Sequence, residues 1–119
     1  MMNKEFIQYD QALELKELGF DDAYIGYYIE ENFEIININC MPYVSDIIKA
    51  PTFSQAFRWF REKYNRLHTV NIDLSNNLKD KVFVYTIEDY LGSIVDRSEE
   101  FKTYEEAELA CLKKLIEIV

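Results

Sequence analysis

Three segments of the chain open in the same way: QYDQAL at 8–13, TFSQAF at 52–57 and TYEEAE at 103–108. Each runs aromatic, polar, Gln or Glu, then Ala. In the second and third, Thr52 and Thr103 stand three residues before Gln55 and Glu106. That spacing is a capping box, in which the Thr hydroxyl accepts from the third backbone N–H and the Gln or Glu side chain reaches back. The first segment has Gln8 at the cap position, with Asp10 as the alternative cap. Helices are therefore expected over about Tyr9–Leu18, Phe53–Asn65 and Tyr104 to the end. Gly19 supplies a left-handed stop to the first, followed by the apolar Phe20. The shared opening fits either a duplication or a recurrent way of starting helices, and only four positions match.

Between the helices the period changes to two. AYIGYYIEENFEIININC gives strands at about Ala23–Ile29 and Phe33–Cys40, with EEN as the turn. Met41–Pro51 reads as a connection bracketed by Pro42 and Pro51. Further strands are expected at Leu67–Leu74, Lys81–Asp89 and about Gly92–Phe101, with SNNLKD as a polar turn. The expected class is α+β, in the order α-β-β-α-β-β-β-α. An antiparallel sheet carries the helices on one face.

The 119 residues fit one domain, 1–119, able to bury a core without metals or disulfides. An apolar fraction of 49 % argues against disorder. Cys40 and Cys111 have no partner at ligand spacing and read as reduced core thiols. The opening MMNKEFIQYD lacks the apolar run of a signal peptide, and no stretch is long enough for a membrane span. The expected location is the cytoplasm. Thirteen Lys and Arg stand against 22 Asp and Glu, a net charge of −9. That balance disfavours direct nucleic-acid binding, which draws on phosphate neutralisation, and favours a partner protein with a basic surface.

The stretch APTFSQAFRWFREKYN interleaves aromatics with bases, as a nucleic-acid reader would. On a helical wheel Phe53, Phe57, Phe60 and Tyr64 share an arc of about 60°, so most of the aromatic content is core. The bases are spread round the other sides and divided by Glu62, so they form no continuous basic face. Trp59 lies about 120° from the stripe. It is either a partner anchor, the role in which Trp is most enriched, or a packing residue on the helix flank. Glu105, Glu106 and Glu108 lie in the first turn of the third helix, where its dipole favours them. Glu105 and Glu108 also begin an acidic surface. The lone His68 has no second ligand at metal spacing and reads as structural. Glu30, Glu31, Glu88 and Asp89 read as solvated turn or rim residues rather than an acid–base pair. No nucleophile triad, phosphate-cradling glycine loop or metal motif is present. No catalytic, cofactor or metal residue is assigned.

PTFSQAFRWFREKYN and TYEEAELACLKKLIEIV, with QALELKELGFDD near the start, resemble a group of small uncharacterised proteins of phages and prophages. The resemblance covers about half of the chain and implies a phage-type accessory protein, with no site residues carried over. The resulting expectation is a non-enzymatic protein-binding module, with inhibition of a host defence protein as its sharper form. Its candidate contacts are Trp59, Glu105 and Glu108. The alternative is a small-ligand or nucleotide binder that stacks its ligand on Tyr24, Tyr27, Tyr28 and Tyr85. The oligomeric state is left open.

Overall fold

The computed structural model describes residues 5–22, 25–35, 47–73 and 81–119. The elements run α1 (Tyr9–Leu18), β1 (Gly26–Ile29), β2 (Asn32–Ile35), β3 (Ile48–Ala50), α2 (Phe53–Tyr64), β4 (Arg66–Ile72), β5 (Phe83–Asp89), β6 (Ile94–Arg97) and α3 (Tyr104–Ile118). The class is α+β. The order matches the sequence expectation except for β3, which falls in the stretch read as a connection. The strands form two three-stranded antiparallel sheets, β2-β1-β3 and β4-β5-β6, rather than one. Contacts gather the chain into two compact units, residues 1–56 and 57–119.

In the first unit, β1 is the central strand, paired with β2 and β3. Glu30 and Glu31 close the β1–β2 hairpin, both with positive φ (51° and 77°). Asn32, expected in the turn, is instead the first residue of β2, paired with Ile29. α1 ends as expected: Gly19 takes φ 91°, and the Phe20 N–H reaches the Leu15 carbonyl at 3.0 Å. Its start has no side-chain cap. Gln8 is the N-cap residue without such a bond, and Asp10 lies inside the first turn. α1 packs on β3. Tyr28 is fastened by a 2.8 Å hydrogen bond from its hydroxyl to the Ile7 carbonyl. The strand β3 was illegible because it is only three residues long, with Ile48 and Ala50 buried on either side of Lys49. Ala23, Tyr24, Cys40 and Pro42 lie outside the described residues, as does the whole of the expected SNNLKD turn.

In the second unit, β5 is central, between β4 and β6. Residues paired across strands share a face, so the register sorts this sheet into two faces. Phe83, Tyr85 and Ile87 look toward α3, which packs on β5 and β4. Phe83 meets the ring of Tyr104 edge-on at 6.1 Å. The opposite face carries Leu67, Thr69 and Asn71 of β4, all exposed, opposite Glu88, Thr86 and Val84 of β5. Both expected capping boxes form. The Thr103 hydroxyl accepts from the Glu106 N–H at 3.1 Å and the Glu106 carboxylate accepts from the Thr103 N–H at 3.2 Å. Thr52 and Gln55 repeat the arrangement at 3.2 and 3.0 Å.

Candidate functional site

Trp59 is 4 % exposed. It meets Phe60 and Tyr64 edge-on at 5.2 and 5.5 Å, with the Lys63 ammonium 5.3 Å from its ring centre. A side chain so covered has no surface to offer a partner, and its burial supports the packing reading. The wheel put it off the stripe because α2 is buried on more than one side: Phe53, Ala56, Phe57, Trp59 and Phe60 are all buried. Glu105 is exposed, whereas Glu108 is half-buried, and burial together with the neighbouring Glu105 charge raises its carboxyl above the usual range. Ten acidic and three basic residues fall in 1–56, against twelve and ten in 57–119, so the two segments carry −7 and −2. The acidic excess thus sits mainly in the unit that does not contain Glu105 and Glu108.

The tyrosines of the stacking-platform alternative are committed internally. Tyr27, Tyr28 and Tyr85 are buried. The Tyr85 hydroxyl donates to Asp96 at 2.8 Å, and burial and that carboxylate push its ionisation far above the ordinary phenol value. A cleft lined by Lys16, Phe20, Ile47 and Lys49 has about 90 Å³ of space, well below the roughly 300 Å³ at which pockets for drug-sized ligands begin. His68 stacks on Phe57 with ring centres 3.7 Å apart, and burial plus the Arg61 charge lower its pKa to about 4. It is a neutral packing residue at physiological pH. Among the described residues no group of three His, Cys, Asp or Glu could hold a metal ion. No helix there is long and apolar enough to cross a membrane.

A different surface stands out at the β5–β6 hairpin, EDYLGSIV at 88–95. Asp89 stands at this turn, one of the two places expected for it, and there it has a specific task. Its carboxylate accepts from the Leu91 N–H at 2.9 Å and the Ser93 N–H at 3.0 Å. Its backbone closes the loop as well, through bonds with Ser93 and Gly92 at 3.0 Å each. Gly92 supplies φ 85°, a conformation that L side chains rarely adopt. The tip is fixed by four hydrogen bonds on one residue, and it holds Tyr90 and Leu91 outward at 71 % and 74 % exposure. Just behind it, Ile94 and Val95 are exposed at 59 % and 42 %, and Leu67 at 37 %. Leu67, Glu88 and Ile94 form one cross-strand row. The register shifts between Ile87 and Glu88, so that Val95 is the extra residue of a bulge.

The sequence contained a signal for this surface that its reading missed. Turns take polar residues because their backbone is solvated. A Tyr-Leu pair between Asp and Gly-Ser breaks that grammar, and nothing within the turn could bury it. No protein-family model, curated protein or solved structure matches this chain, so the hairpin tip stands as the candidate site on its own geometry.

Proposed function

We propose that the chain is a non-enzymatic protein-binding module that docks through the β5–β6 hairpin tip. The observation that carries this reading is the pair Tyr90 and Leu91, about three-quarters exposed on a loop locked by Asp89. Large exposed apolar residues in a cluster mark interaction sites on soluble proteins. A loop already rigid in its bound shape loses little entropy on docking. Tyr adds an amphipathic hot-spot side chain of the kind that dominates interface energies. The fitting partner presents an apolar pocket for these two side chains; the net charge of −9, of which residues 57–119 carry only −2, adds a general long-range preference for a basic protein. With the resemblance to phage and prophage proteins, this supports an accessory protein that occupies a host protein in the cytoplasm and inhibits it.

The test compares the parent with Leu91→Ser, each immobilised and exposed to a candidate host's proteins, then to the purified captured protein. The substitution should leave urea stability within about 0.5 kcal/mol, as expected of an exposed site. It should weaken binding by about 2 kcal/mol or more, the loss expected of a central anchor. A captured protein held equally by both forms would assign its binding to another surface.

A further inference from the structure

The hairpin end of the second sheet's outer face, beside the tip but made of different residues, specifies its own occupant; Val84, farther along that face, is buried. We propose that this face binds a second copy of the chain, forming a two-fold dimer. Six side chains make up the contact: Leu67, Glu88 and Ile94 in one cross-strand row, Thr69, Thr86 and Arg97 in the next. The first row contributes exposed apolar surface at both ends, and the second sets two threonines beside the exposed Arg97. Two such faces can stack as the sheets of a sandwich do, about 10 Å apart.

Charge selects the second copy. Glu88 stands between two apolar residues, so any partner that covers Leu67 and Ile94 also takes that carboxylate out of water. A charge buried that way needs an opposite charge brought to it. Glu88 and Arg97 are diagonal neighbours on β5 and β6, opposite Ile94 and Thr86 respectively. Among the described residues neither forms an ion pair within the chain. A two-fold axis passing between them sets Glu88 of each copy against Arg97 of the other, and both charges are answered twice. An isologous contact requires this kind of self-complementarity. The long-range charge also permits it, because residues 57–119 carry only −2 of the total −9. The dimer then displays two hairpin tips, and a target with two sites would be held with increased avidity.

Sedimentation equilibrium on the full chain tests the proposal. The parent should be a reversible dimer at micromolar concentration. Glu88→Arg places like charges at both contacts and should sediment as a monomer; Arg97→Glu should do the same. An equimolar mixture of these two variants should dimerise again, since every Arg then meets a Glu. The double variant, with both charges exchanged, should dimerise by itself. Circular dichroism confirms that each variant is folded. If one of them is not, Ile94→Lys replaces it as the disrupting change. Leu91→Ser should leave the dimer intact, which separates this proposal from tip docking. A parent that stays monomeric up to millimolar concentration would overturn it, as would single variants that dimerise like the parent or a mixture that remains monomeric.

Discussion

The indole of Trp59 is buried, meets Phe60 and Tyr64 edge-on and has the Lys63 ammonium over the ring. For this residue the sequence leaves two readings open, partner anchor or flank packing, and its burial supports the second. Trp59→Ala should therefore lower stability by about 3–5 kcal/mol, the range for deleting a buried aromatic. Binding should fall only in step with unfolding, and urea titration alongside a binding isotherm would separate the two. Asp89 is the opposite case. In sequence it reads as one carboxylate among several on a solvated turn or rim, yet it organises the whole hairpin tip. Its role was hidden because a side chain that accepts two backbone N–H groups looks in sequence like any Asp in a turn. Tyr90 and Leu91 were legible in principle, because an apolar pair in a turn has no local reason to be there. Cys111 is buried and free, as expected of a core thiol, and its ionisation is pushed up to about 12 by burial first and then by Asp96 and Glu108.

The elements that were easiest to read are those whose ends are fixed locally. α3 begins at Thr103 because both arms of its capping box close, and α1 stops at Gly19 because the next bond needs a left-handed residue. Thr103→Ala should cost about 0.5–2 kcal/mol in urea unfolding. Thr103→Ser should recover most of that loss, since it keeps the accepting oxygen. The box around Thr52 sits on a part-buried turn and the one around Thr103 on an exposed turn. Elements fixed by distant partners were harder. Three residues of β3 gain their strand identity from β1, about twenty positions earlier, and no period can be read from so short a run. Likewise, alternation located the strands without saying that they divide between two sheets. Nothing in a strand's own sequence specifies which neighbour it pairs with.

At the scale of the molecule, stability should fall steeply in alkali. Burial and the nearby Asp96 carboxylate hold Tyr85 protonated well above its ordinary 10, and Cys111 is held to about 12 against an ordinary 9. Both groups prefer their neutral forms in the folded state, so their contribution is complete below about pH 9. Above that pH the unfolded chain releases protons that the folded chain keeps, and each such proton lowers stability by about 1.4 kcal/mol per pH unit. Urea midpoints should decline between pH 9 and 12, and Cys111→Ala should flatten the first part of that decline. Glu108 contributes with the same sign in acid: its raised carboxyl favours the folded state below the usual carboxylate range and loses that advantage toward neutrality.

The bulge at Val95 bears on what other chains meet at the edge of the second sheet. β6 is an edge strand with adjacent Ile94 and Val95 exposed, a combination that ordinarily invites other chains to add strand upon strand. The extra residue breaks the even spacing of backbone donors and acceptors along that edge, so an incoming strand finds no continuous register. A molecule built this way can keep sticky side chains on one sheet face and still resist growing into a fibril.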